Sequence, residues 1–192
     1  MLGLSQAGKA ADTAVFRRVT RGPAPVQRVS SGLTRAADSS KLWLALAGAM
    51  ACVGGTTGRR MAARGTAAIV ASSALANAPL KRLAHRPRPR GLRAVGIRRA
   101  GRRPKTSSFP SGHAASGFAF ATAAGLERRL LLVPLEGLAF AVAWSRVQSG
   151  QHYPSDVAAG AVVGLSIGLI VHNVSSRKNL WSSVCRRMGR GS

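Results

Sequence analysis

Apolar residues along this chain gather into five stretches separated by polar, mostly basic segments. The first runs from Leu42 to about Thr57, the second from Met61 to Leu80 with Arg64 near its start, and the third from Gly112 to Leu126. The fourth runs from Leu130 to Trp144 and the fifth from Val157 to Val174. A helix that crosses a bilayer takes about 20 residues, with a range of about 17–25. The second and fifth stretches reach that length; the others must borrow flanking residues. The fifth, VAAGAVVGLSIGLIV, has no polar face to show water, as a surface helix of a soluble bundle would. Trp43 and Trp144 fall at stretch ends, where interfacial aromatics belong. The pattern therefore predicts an all-α, integral-membrane bundle of about five transmembrane helices. Ala and Gly recur throughout, and small residues let helices approach closely in lipid; Ala161, Gly164 and Gly168 fit that use.

The same pattern divides the chain. Residues 1–41 are polar and basic, and Ala11, Val15, Val19 and Val26 give a loose apolar spacing, the mark of an interfacial amphipathic segment or a disordered tail. Residues 42–174 form the membrane domain, and 175–192 a basic tail expected to be mobile. The N-terminus shows no short apolar run ending in a small-residue cleavage site, so no cleaved signal peptide is expected. Five spans alternate sides. The 81–111 and 145–156 loops then lie on one side, together with the N-terminus.

Charge sharpens the picture. In 192 residues there are 29 Lys+Arg against 5 Asp+Glu, a formal net charge of +24. Such a balance calls for a polyanionic partner: nucleic acid, an anionic membrane surface or a phosphorylated substrate. Eleven of the cations crowd residues 81–105, with no acid among them. The arginines at 86, 90 and 93–103 read as a solvated run facing lipid headgroups. Nucleic-acid binding would call for a soluble fold with stacking aromatics among the cations, but aromatics make up 5% and Tyr153 is the single tyrosine. Cys52 and Cys185 have neither metal-ligand nor disulfide spacing.

Three clusters carry chemistry: KRLAHRPRP with Lys81 and Arg88, FPSGH with Ser111, Gly112 and His113, and SRVQSGQHYPSD with Arg146, His152 and Asp156. Topology puts all three on one membrane face. A phosphoryl group in transfer carries charge on its equatorial oxygens, so positioning and cations do most of the catalysis. Lys81, Arg88 and Arg146 supply cations, and guanidinium forks grip two oxygens each. Ser111 and Gly112 open the third helix, where free N–H groups favour an anion. In-line displacement needs a nucleophile and an acid. His152 has Asp156 four residues on, within the first turn of the helix opened by Pro154, where its carboxylate could accept Nδ1–H and leave Nε2 free to attack. His113, without an acidic sequence neighbour, fits the general acid. No carboxylate cluster offers a Mg²⁺ site, and no metal is expected.

Lys81-x6-Arg88-Pro89, Pro110-Ser111-Gly112-His113 and Ser145-Arg146-x5-His152-x3-Asp156 together resemble the complete three-part signature of the type 2 phosphatidic acid phosphatases, a family that shares its site with vanadium haloperoxidases. The resemblance covers residues 81–156. It implies a membrane lipid-phosphate phosphatase with His152 as nucleophile, Asp156 as its orienter, His113 as acid, and Lys81, Arg88, Ser111, Gly112 and Arg146 on the phosphate. It also implies metal-independent hydrolysis without a cofactor, and inhibition by vanadate. Candidate substrates are phosphatidic acid, phosphatidylglycerol phosphate, a polyprenyl diphosphate and a polyprenyl-phospho-sugar phosphate. Many members have six spans where five are counted here, and the segment before Leu42 stands in for the sixth at the interface. The chain also resembles the phosphatase part of actinobacterial proteins that carry a lipid-kinase-like domain after it. A plasma-membrane location is expected. Many bacterial relatives face outward, but the basic loops here point the site to the cytoplasm. The alternatives are a vanadate-dependent haloperoxidase and a non-catalytic basic protein that binds lipid or nucleic acid.

Overall fold

The computed structural model describes residues 5–89 and 106–188, with side chains described to Arg177 except at Ser39, Asn77 and Ala78. The arginine run from Arg90 to Arg103 lies outside the described residues. The described chain is helical, with no strand. Two helices, α1 (Gln6–Thr20) and α2 (Ala24–Ala36), precede the apolar bundle of α3 (Lys41–Val53), α4 (Gly55–Leu75), the short α5 (Lys81–Ala84), α6 (Gly112–Gly125), α7 (Leu132–Gln148) and α8 (Pro154–Met188). By length and composition, Arg129–Gln148 and Pro154–Arg177 are each able to cross a membrane.

α6 is the axle. Nearly every residue from Ala114 to Gly125 is buried between α4, α7 and α8. That placement explains the weak hydrophobicity of the third stretch: a helix shielded from lipid by other helices packs best with Ala and Gly. α8 approaches it along Gly160, Gly164 and Gly168, where a Cβ would come within 2.4 Å of Ser111 O, 2.4 Å of Ala115 O and 2.6 Å of Thr122 Cβ. The small-residue stripe is thus these three glycines, one position off the expected Ala161, which is half-buried. On the other flank Trp43 and Phe120 pack with ring centroids 5.4 Å apart. Trp43 is 1% exposed, a core residue and not the interfacial anchor its position suggested, whereas Trp144 is exposed beside Phe140.

Several elements depart from expectation for local reasons. α3 and α4 form a tight hairpin at Gly54–Gly55, with Gly55 at φ +58 and Gly58 so close to α3 that a Cβ would sit 1.9 Å from Met50 O. α4 ends earlier than the apolar run, because the chain opens into a wide turn over Ala76–Leu80 containing Pro79. Arg64 is buried at the bundle end away from the motif loops, 2.5 Å from Glu127 and 3.0 Å from His172 Nδ1. α8 runs as helix to Met188, through most of the segment read as the basic tail.

The N-terminal segment is built into the domain. α1 buries Asp12, Phe16 and Thr20, and α2 buries Ser30 and Thr34. Thr34 Oγ1 and Ser145 Oγ are 2.8 Å apart, and Ser30 hydrogen-bonds Gln148. α1 and α2 therefore pack on the end of α7 that carries Ser145 and Arg146.

Candidate active site

His152 sits in the loop between α7 and α8 and is 3% exposed. Its Nδ1 lies 2.8 Å from the carbonyl oxygen of Ser108. A carbonyl only accepts, so Nδ1 carries the proton and Nε2 keeps its lone pair. Nε2 is 3.2 Å from Arg88 Nη1, which donates toward it. Burial pushes His152 below the ordinary imidazole value; the charges of Arg88 and Arg146 push the same way, against Asp156. The ring is thereby held neutral at neutral pH, with its unprotonated nitrogen turned to Arg88.

The expected Asp156–His152 hydrogen bond is replaced. Asp156 Oδ2 stands 3.8 Å from Nδ1, beyond hydrogen-bond range, and the Ser108 carbonyl takes its place. Asp156 is fully buried and holds the loop instead. It accepts from Tyr153 N–H at 2.9 Å and from Arg86 at 2.7 Å, and its own carbonyl receives Ser111 N–H at 2.9 Å. That last bond ties the start of α6 to the start of α8.

Ser111 caps α6, its side chain accepting from Ala114 N–H at 3.4 Å. Gly112 and His113 follow in the first turn, where backbone N–H groups have no helical partner. A cavity of about 340 Å³ opens there, and His113, Gly112, Lys81, Arg88, Arg146 and His152 all line it. Every side chain expected to bind phosphate or react with it thus borders one space, except Ser111, which is buried in the cap beneath it. Burial, with Arg88 nearby, lowers Lys81 from its ordinary value.

Arg146 is 3% exposed and well braced. It donates to Gln151 Oε1, to Asp38 Oδ1 at 3.1 Å and to Thr34 O at 3.4 Å. Arg88 donates to Gln151 O at 3.0 Å and to Thr106 O at 3.3 Å. His113 Nε2 stands 3.3 Å from Asp38 Oδ1, out of line for a hydrogen bond. His113 thus has the acidic neighbour it lacks in sequence.

Sequence reasoning missed four groups. Asp38 arrives from the turn after α2. Arg86, expected to face lipid headgroups, instead bridges Asp12 at 2.6 Å and Asp156 at 2.7 Å while covering the Tyr153 ring at 4.3 Å. Asp12 also takes Ser155 N–H at 3.0 Å and its hydroxyl at 2.6 Å. The fourth is the Ser108 carbonyl. For the acids a signal existed: in a chain with 5 of them and a net charge of +24, each is a prime partner for an arginine. Among the described residues, no group of three or more His, Cys, Asp or Glu is arranged to hold a metal ion.

Known proteins share this fold. Two solved structures superpose on the chain. The first transmembrane PAP2-type phosphatidylglycerolphosphate phosphatase from Bacillus subtilis has a TM-score of 0.63 at 20% identity, over 90% of this chain and 88% of that one. Aquifex aeolicus LpxE has a TM-score of 0.64 at 22% identity, over 83% and 93%. At these identities the likeness is one of fold: an all-helical membrane bundle. The decaprenylphosphoryl-5-phosphoribose phosphatase of Mycobacterium tuberculosis is 41% identical over 100 residues, 50% of this chain and 51% of that protein. The match therefore spans about half the length of that relative. The sequence profile of the PAP2 superfamily matches residues 62–180, more than half of the chain and all three motifs, and the chain belongs to that superfamily.

Proposed function

We propose that the protein is a membrane phosphatase that removes phosphate from a lipid phosphate by way of a phosphohistidine on His152. One observation carries the reading: two histidines and three cations border a single cavity at one end of the bundle. His152 Nε2 attacks phosphorus. The bond from phosphorus to the lipid oxygen breaks, its electron pair leaves with that oxygen, and His113 supplies the proton that makes it an alcohol. Lys81, Arg88, Arg146 and the N–H groups at the start of α6 hold the equatorial oxygens. Water then attacks phosphorus and gives a proton back to His113. The P–N bond breaks, freeing inorganic phosphate and neutral His152. The Ser108 carbonyl fixes the ring of His152, and Asp156 shapes the loop that carries it.

The similarity to the mycobacterial phosphatase makes a polyprenyl-phosphoryl pentose phosphate the first substrate to test, ahead of phosphatidic acid, phosphatidylglycerol phosphate and polyprenyl diphosphates. We place the protein in the plasma membrane with this site toward the cytoplasm, as the basic α1, α2 and motif loops favour. The test is phosphate release by detergent-purified protein in EDTA across those four lipids, with His152→Ala alongside. Release by the wild type and none by the variant is expected. Equal release by both rejects the mechanism.

A further inference from the structure

Asp38 belongs to none of the three motifs and precedes the residues matched by the superfamily profile, 62–180. Its place is nonetheless set by the fold. It opens the short turn Asp38–Ser40 between α2 and α3. Ala37, just before it, is buried and its N–H donates to Leu33 O at 3.0 Å; Ser40 N–H closes the turn on Ala37 O at 3.2 Å. α2 is pinned to α7 through Thr34 and Ser145, and Trp43 anchors the start of α3 in the core. The carboxylate that results has one oxygen 3.1 Å from Arg146 Nη1 and 3.3 Å from His113 Nε2.

The electrical surroundings of His113 give this contact a use. Arg146, Lys81 and Arg88 border the same cavity as His113. All three are cationic, and like charge opposes a proton on the ring. A general acid must nevertheless hold its proton when the lipid oxygen departs. Among the described residues, Asp38 is the carboxylate in ion-pair range of that ring. Because the contact is out of line for a hydrogen bond, it acts through charge. At such a distance an opposite charge favours the protonated form.

We propose that Asp38 is a positioning residue of the active site, which favours the protonated form of His113 and holds Arg146 in place so that the leaving oxygen receives its proton. This rests on the phosphatase reading above. A purely structural ion pair with Arg146 is the competing role, and leaving-group chemistry separates the two. An alkoxide needs a proton to leave, whereas nitrophenolate leaves well without one.

The experiment compares wild type, Asp38→Asn and Asp38→Glu as full-length protein in detergent. The substrates are the lipid phosphate that the wild type cleaves fastest and p-nitrophenyl phosphate. kcat/KM is followed against pH, since it reports the steps through loss of the leaving group. For Asp38→Asn the expected result is about a tenfold loss on the lipid at neutral pH and less than about twofold on the aryl ester. The sign of the pH change is fixed. His113 works protonated, so activity falls as pH rises through its pKa. Removing the carboxylate lowers that pKa and moves the alkaline limb to lower pH by about one unit. Asp38→Glu should recover most of the lipid activity. Equal losses on both substrates, no loss on either, or an unmoved limb overturns the proposal. A wild type that cleaves neither substrate overturns instead the phosphatase reading beneath it.

Discussion

Arg86 ties together carboxylates from two distant parts of the chain, Asp12 on α1 and Asp156 at the start of α8, whose side chains are 6% and 0% exposed. Deleting a cation between two buried carboxylates leaves charge uncompensated, so Arg86→Ala should cost about 3–5 kcal/mol, read as a lower unfolding midpoint in detergent. Arg86→Lys should fall between, because an ammonium cannot reach both acids as a fork does. Asp156→Asn tests the revised role of that residue. With Nδ1–H already on the Ser108 carbonyl at 2.8 Å, the tautomer survives the change, so kcat should fall by about tenfold and not to the level of His152→Ala. Asp156 is also a charge that raises the pKa of His152. With His152 reacting neutral as proposed, its acid limb lies on the acid side of the ordinary imidazole value, and removing Asp156 should move that limb further toward acid. A limb that moves toward alkali would refute this assignment. The motif side chains were legible because reaction chemistry demands particular residue types at particular spacings. The true partner of Nδ1 was not, since it is a backbone carbonyl and every residue has one.

Among the helices, the pairing of α6 with α8 does the most to assemble the site. It sets the cap at Ser111 against the turn at Asp156, and it depends on glycines that admit no side chain. Gly164→Val would thrust a branched side chain at Ala115 O, 2.4 Å from where its Cβ must go. The expected outcome is a lower unfolding midpoint and a large loss of phosphate release, while Val162→Ala, on the exposed side of the same helix, should leave both near wild type. Similar behaviour of the two variants would show that the close approach is not what holds the site together. The apolar pattern revealed α3, α4, α6, α7 and α8 because each hides a nonpolar surface. It could not reveal how α1 and α2 dock. Their buried faces include Asp12, Ser30 and Thr34, which meet guanidinium, hydroxyl and amide partners, and hydropathy is blind to a polar interface of that kind. The same blindness made Arg86 look like a solvated charge.

Viewed whole, the molecule separates its charge into two ends. α1, α2 and the motif loops gather at the end that holds the cavity. At the other end Arg60 and Arg64 are paired with Glu127, at 2.7 Å and 2.5 Å, which offsets part of that face's charge. Cations hold back the face that carries them from crossing the membrane, so the cavity end should stay in the cytoplasm. Single cysteines placed in a chain with Cys52→Ser and Cys185→Ser would read this directly. Arg128→Cys lies in the exposed turn after α6, at the end away from the cavity, and Arg17→Cys on the exposed side of α1 at the cavity end. A membrane-impermeant maleimide added to intact cells should label position 128 and reach position 17 only after the membrane is opened. Both variants should keep phosphatase activity, which ties the labelling to folded protein. The reverse pattern would put the cavity outside. A lipid-phosphate substrate would then have to reach it from the outer leaflet, and the positive charge around it would serve phosphate binding alone, because it could not have set the topology.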